Sequence, residues 1–107
     1  MLEVAILNVI DGKETGFEAA FRSASAIIAS MPGYCSHQLL HCVENSSRYL
    51  LLVNWETLED HTVGFRTSPE YQEWKKALHH FYEPFPIVEH YEMVYERLAD
   101  VDNIPSS

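Results

Sequence analysis

The sequence predicts an α+β domain built in the order β-α-β-β-α-β. Three observations carry that prediction. Four apolar runs with strand character occupy residues 2–10, 34–44, 48–55 and 87–94, two intervening stretches repeat apolar residues at helical spacing, and turn or breaker residues stand at the junctions. The two central strands follow each other without a helix between them. That is the split pattern of the ferredoxin-like arrangement, one four-stranded antiparallel sheet with both helices on one face.

Residues Leu2 to Ile10 are apolar on both alternations: Leu2, Val4, Ile6 and Ile10 on one, Ala5, Leu7 and Val9 on the other. A strand covered on both faces has this pattern. Asp11-Gly12-Lys13-Glu14 reads as a turn into a helix, with Asp11 as N-cap and Glu14 in capping-box spacing. Phe17, Ala20, Phe21, Ala24, Ile27, Ile28 and Met31 make the helix stripe, and Pro32-Gly33 ends it. In the second strand, Tyr34 to Glu44, Cys35, His37, Leu39, His41 and Val43 fall on one face and Tyr34, Ser36, Gln38, Leu40 and Cys42 on the other. Asn45-Ser46-Ser47 is turn chemistry, so the third strand, Arg48 to Trp55, returns as a hairpin. Thr57-Leu-Glu-Asp60 offers a cap for a short helix to about Phe65. Ser68-Pro69-Glu70 opens a second helical piece with Pro at its first position and Tyr71, Trp74, Leu78, Phe81 and Tyr82 as its stripe. Pro84-Phe85-Pro86 stops it and delivers the last strand, Ile87 to Val94, in which Tyr91 and Met93 read as a buried face. The domain thus covers residues 1–94, and residues 95–107 form an acidic, loosely held C-terminal tail.

Two helices cover one face of this sheet, yet the first and third strands are apolar on both. A wet second face would expose more apolar surface than soluble monomers usually tolerate. Pairing two sheets through a two-fold axis removes the patch, so patterning alone predicts a homodimer.

Charge narrows the partners. Sixteen acidic residues against seven basic ones give a net charge of -9, and the basic residues are scattered, so no stripe exists for a phosphate backbone and nucleic acid is excluded. The start, MLEVAILNVIDG, lacks a basic region and is interrupted by Glu3, Asn8 and Asp11, which argues against a signal peptide or a spanning helix; the expected location is cytoplasmic, with no membrane partner. Cys35 and Cys42, seven apart on opposite faces of one strand, are expected to be reduced and half-buried.

The stretch Leu51-Leu-Val-Asn-Trp55-Glu-Thr-Leu-Glu-Asp-His61, the link Phe65-Arg-Thr-Ser-Pro-Glu-Tyr71 and the closing Val88-Glu-His-Tyr91-Glu resemble the antibiotic biosynthesis monooxygenase family of the dimeric α+β barrel superfamily. The resemblance covers roughly residues 2–94. It implies a pocket between the sheet and the second helical segment, and often a reaction of molecular oxygen with a small aromatic, quinol or polyketide-like metabolite without metal, flavin or nicotinamide. The protein then binds a flat substrate, holds its anion and moves protons. The same fold also hosts non-catalytic binding dimers, isomerases and cyclases.

Candidate site residues follow from the residues and the resemblance together. Asn8 is the one polar residue on its strand alternation and the family often carries a polar group near it, directed into the pocket; it is the candidate for orienting an oxyanion. His61, with an imidazole that titrates near neutrality, is the candidate proton acceptor. Trp55 and Phe65 shape the pocket, Trp55 facing away from Asn54. Arg66 is a candidate anchor for an anionic group, and Tyr82 a phenolic donor. His79 and His80 point about 100° apart on a helix, so one of them faces the sheet. His90 alternates with Val88 and Glu92, toward the helices or at the sheet edge. Metal is not expected, since His37 and His41 lie about 13 Å apart by strand rise. The haem-degrading branch uses an Asn, a Trp and a proximal His. Asn8 matches the first, but alignment on Trp55 brings the other two near Gly64 and Lys75, with Trp74 and His79 displaced, so haem degradation is a minor alternative.

Overall fold

A computed structural model of the chain describes residues 1–100. Strand β1 (Leu2–Asn8) leads to helix α1 (Glu14–Ala29), the hairpin β2 (Tyr34–His41) and β3 (Arg48–Trp55), a π-helical turn (Asp60–Phe65), helix α2 (Pro69–Leu78) with a 3-10 turn at its end (His79–Phe81), and β4 (Val88–Tyr91). The sheet order is β2-β3-β1-β4 with every pair antiparallel, which is the ferredoxin-like topology expected from the split pattern.

Alternation divides the sheet. Ala5 and Leu7 of β1 and Tyr49, Leu51, Val53 and Trp55 of β3 are buried beneath Phe17, Phe21, Ala24 and Ile28 of α1 and Trp74 and Leu78 of α2. The helices meet where Phe21 and Trp74 pack edge to face at 5.7 Å. Each of these large side chains contributes about 1.5–3 kcal/mol through burial. On the opposite face Leu2, Val4, Leu50 and Leu52 are half-buried, and Ile6 and Leu40 are 46% and 43% exposed. Within one chain that face has no cover.

Several local expectations give way. Asp11 does not cap α1, whose N-cap is Lys13 with no side-chain bond; Asp11 and Glu14 instead accept from the Ser47 hydroxyl, and Glu14 also accepts from Gly12 N–H, tying the helix entry to the β2–β3 turn. A bulge between Tyr34 and Ser36 shifts the register of β2. It brings Tyr34 to the face of His37, whose Nδ1 its hydroxyl meets, and leaves Cys35 exposed rather than half-buried. The short helix after Thr57 is a π turn, although Thr57 and Asp60 do cap it reciprocally. Strands β1, β2 and β4 are shorter than predicted: past Asn8 the backbone of Val9 and Ile10 bonds to Ser47 and Phe81, and past Tyr91 no strand continues. Tyr91 and Met93, expected to be buried, are exposed: Tyr91 pairs with Leu2 on the face away from the helices, and Met93 lies past the end of β4. Residues 92–100 are exposed throughout and carry no helix or strand; the tail beyond them lies outside the described residues.

Candidate functional site

Register builds the site. Glu3 stands opposite Val53 of β3 and His90 of β4, so Glu3 and His90 share the helix-facing side at the sheet end where Trp55 closes β3. The Thr57–Asp60 cap then starts the π turn that drops His61 and Phe65 onto Trp55; the imidazole stacks on the indole at 5.7 Å and 21°, with Phe65 5.9 Å from the same indole. The wider π turn, closed by Arg66 N–H donating to His61 C=O, fits both rings against the sheet while leaving Arg66 outside.

The result is a buried polar chain. Glu3 is 5% exposed and His61 3%. Glu3 Oε1 accepts from Trp55 Nε1–H at 3.0 Å and lies 3.3 Å from His61 Nε2, and His61 Nδ1 is hydrogen-bonded to His90 Nε2 at 2.8 Å. Indole N–H can only donate, so Glu3 Oε1 is an acceptor. A proton on His61 Nε2 faces Glu3 Oε1 at ion-pair distance, without the alignment of a formed hydrogen bond, and leaves Nδ1 to accept from His90 Nε2–H. Burial, then the positive field of Arg66, then His90 lower the proton affinity of His61 and hold it neutral. Burial raises the Glu3 carboxyl above its ordinary value, against the pull of the Trp55 bond and Arg66.

Glu3 and His61 form one wall of a cavity of about 40 Å³ between the sheet and α2, lined also by Phe65, Tyr71, Trp74, His79, Tyr82 and Phe85, with Arg66 at its edge. That volume holds about one to three water molecules. Of the expected site residues, His61, Phe65, Arg66, His79 and Tyr82 border this space; Trp55 supports it from behind and His90 joins through His61. His79, not His80, faces inward, 5.5 Å from the Tyr82 ring and 5.1 Å from Phe85, while His80 is exposed against Phe81. Burial holds the Tyr82 hydroxyl well above the usual phenol range and pushes His79 toward its neutral form.

Asn8 is not part of this site. It belongs to the alternation that faces away from the helices, where it is exposed beside Ile6 and the loop 84–87. Its place as the polar group of β1 is taken by Glu3, which sequence reasoning passed over. A carboxylate on the Ala5-Leu7-Val9 alternation, the one bound for the core, was the available signal. Among the described residues no group of three or more His, Cys, Asp or Glu side chains is arranged to hold a metal, and no helix is long and apolar enough to cross a membrane.

Comparison with known proteins agrees with this architecture. Residues 1–77 match the family model described as antibiotic biosynthesis monooxygenase. The chain belongs to the antibiotic biosynthesis monooxygenase family. Within reach of this assignment, it is 59% identical over 92 residues to the uncharacterized protein YczJ of Bacillus subtilis, a match covering 86% of this chain and 97% of that one. Among solved structures, a candidate antibiotic biosynthesis monooxygenase from Bordetella bronchiseptica shares 34% identity at a TM-score of 0.85, covering 88% of this chain and 96% of its own. SnoaB, a cofactor-independent oxygenase of Streptomyces nogalater, shares the fold at 19% identity and a TM-score of 0.74, over 90% of this chain and 96% of its own. The family match ends before His79, Tyr82 and His90, so one side of the cavity lies beyond it.

Proposed function

We propose that this member of the antibiotic biosynthesis monooxygenase family is a cofactor-independent monooxygenase acting on a small electron-rich aromatic, quinol or polyketide-like metabolite. The observation that carries the reading is the convergence of Glu3, His61, His79, Tyr71 and Tyr82 on one aromatic-walled cavity. A buried carboxylate beside an imidazole in a cleft is the arrangement expected where protons are moved.

In this reading the proton acceptor is Glu3 rather than His61. His61 Nδ1 is hydrogen-bonded to His90 and its Nε2 faces Glu3 Oε1 at 3.3 Å, whereas Glu3 Oε2 has no hydrogen-bond partner. Among the described residues no buried side-chain nitrogen or oxygen is unpaired, so Oε2 retains access to open space, and Glu3 is one of the residues that line the cavity. Glu3 takes a proton from an acidic C–H or O–H of the substrate, and the anion gives its electrons to oxygen. For a methylene substrate, CH₂ and O₂ become C=O and H₂O; all four electrons taken up by oxygen come from the substrate, and Glu3 returns protons to the departing oxygen atom. Tyr82, His79 and Arg66 are the donors available to the substrate oxyanion in place of Asn8. A flat ring needs more than the resting 40 Å³, so Phe85 and Pro86 at the rim yield on entry. The open sheet face is covered by a second copy, giving the homodimer that patterning predicts.

Oxygen uptake with a panel of quinols and anthrones tests this reading. Protein-dependent uptake that falls by about 10²-fold or more in Glu3→Gln is the expected result. No protein dependence across the panel overturns it, and turnover without oxygen assigns an isomerase or cyclase instead.

A further inference from the structure

The polar chain does not stop at the cavity. At its far end His90 sits on β4, an edge strand, half-buried, with Nε2 bonded to His61 and Nδ1 without a partner. Because no buried side-chain nitrogen among the described residues is unpaired, Nδ1 touches solvent. The chain therefore has two free ends, Glu3 Oε2 on the cavity side and His90 Nδ1 at the surface, with the buried His61 between them.

We propose that Glu3, His61 and His90 form a proton relay that loads and unloads the buried site from solvent, with His90 as its outer terminus. The proposal rests on the assignment of Glu3 as the group that exchanges protons with substrate. When a proton reaches His90 Nδ1 from water, the Nε2 proton of His90 moves to His61 Nδ1, and the Nε2 proton of His61 moves to Glu3. One proton enters, one arrives at Glu3, and both imidazoles end neutral with their tautomers exchanged. The reverse sequence discharges Glu3 while the exchanged tautomers persist, since only then is His61 Nε2 free to accept its proton. The 2.8 Å contact is a formed hydrogen bond, whereas the 3.3 Å contact has ion-pair reach and has to align before a proton crosses it, as catalytic contacts do when a site is occupied. A cavity of about 40 Å³ beneath the rings of Phe65, Trp74 and Tyr82 offers Glu3 little bulk water with which to exchange, and the relay supplies it.

Other charges facing the chain bear on it without interrupting it. Arg66, at the end of the π turn, acts on Glu3, His61 and His90, and on Tyr71 of α2, which also feels Glu3. Its positive field disfavours an imidazolium at rest, so the proton passes through and does not lodge on either ring. His90 does not touch the cavity; it is a positioning and relay residue, not a catalytic one.

The test reads exchange, not only turnover. In protein labelled with ¹⁵N-histidine, the His61 Nε2–H is followed by NMR for its tautomer and its exchange with solvent. In the unaltered protein His61 carries its proton on Nε2 and exchanges rapidly despite being buried. His90→Gln keeps an amide donor for His61 Nδ1 but cannot pass a proton, so exchange slows by about tenfold or more while the tautomer stays. His80→Gln, an exposed histidine outside the chain, changes neither. Unchanged exchange in His90→Gln overturns the relay, as does a His61 proton on Nδ1 at a pH where Glu3 is ionised. With an active substrate, kcat falls in His90→Gln while KM holds, and a parallel fall in His80→Gln would count against the relay. The two readings separate cleanly. Slowed exchange without any oxygen uptake retains the relay and defeats the monooxygenase; oxygen uptake with unaltered exchange does the opposite.

Discussion

Trp55 Nε1 donates to Glu3 Oε1 over 3.0 Å, joining residues 52 positions apart. A carboxylate left bare at this depth would cost several kcal/mol, and the indole N–H is its only hydrogen-bond donor that cannot also accept. The end of β3 thereby fixes the chemistry of β1.

That bond is measurable as a coupling. Trp55→Phe removes the donor and is expected to destabilise by about 1–3 kcal/mol, from the unpaired carboxylate and lost packing together. Combined with Glu3→Gln, the loss is less than additive by about 0.5–2 kcal/mol in urea unfolding, the signature of a direct contact. Additive losses would mean that the pair does not interact.

Acid should unfold the protein through His61. In the folded chain burial, Arg66 and His90 hold its pKa down to about 3, against an ordinary 6.5. Between those values the unfolded chain binds a proton that the folded one refuses, so stability falls as pH drops below 6.5, by at most about 1.4 kcal/mol per pH unit for this group. Glu3 works in the opposite sense. Its raised carboxyl takes up a proton above 4.5 in the folded state, which offsets part of the loss as pH falls toward 4.5. Urea midpoints for His61→Gln, compared with the unaltered protein at about pH 7.5, 6.5 and 5.5, should show the shallower pH slope in the variant.

Gly33 admits no side chain. Its φ of +81° favours glycine, and a Cβ there would lie 2.1 Å from Asp60 Oδ2, the oxygen that accepts from Thr57 N–H at the start of the π turn. Gly33→Ala is expected to lower stability by about 1–3 kcal/mol and to disturb the turn that carries His61. Asp60→Ala in the same chain should recover part of the loss in thermal unfolding. No recovery would place the whole cost in the backbone.

The open sheet face offers a test of assembly. Ile6→Asp costs little within one chain, where Ile6 is already 46% exposed, but puts a charge at the centre of the apolar face. Sedimentation should show subunits separating while far-ultraviolet circular dichroism is unchanged; association equal to that of the unaltered protein would place the contact elsewhere.

The order of elements was legible because period and punctuation agree: Ser68-Pro69 starts α2 as written, and Asn45-Ser46-Ser47 turns the hairpin. Bulges and π turns leave no such mark. One extra residue at Cys35 moves Tyr34 to the other face, and period counting cannot see it. The site was half legible for a similar reason. His61, Phe65, Arg66, His79 and Tyr82 announced themselves by type and position, and the structure gathers them around one cavity. Asn8 drew attention by being polar among apolar neighbours, but its alternation is the one without helices. Glu3 was hidden because a carboxylate at a strand start reads as solvated, and only the distant donor Trp55 makes its burial tolerable.

The extended stretch 92–100, exposed along its length, leaves a mark on the whole particle. The radius of gyration is 16.0 Å, where a compact chain of about 100 residues has about 13 Å. A lone subunit therefore experiences more hydrodynamic drag than its mass warrants, and a gel-filtration column calibrated with globular standards will overstate its mass. The subunit count of this protein is a question for light scattering, which weighs particles without assuming their shape.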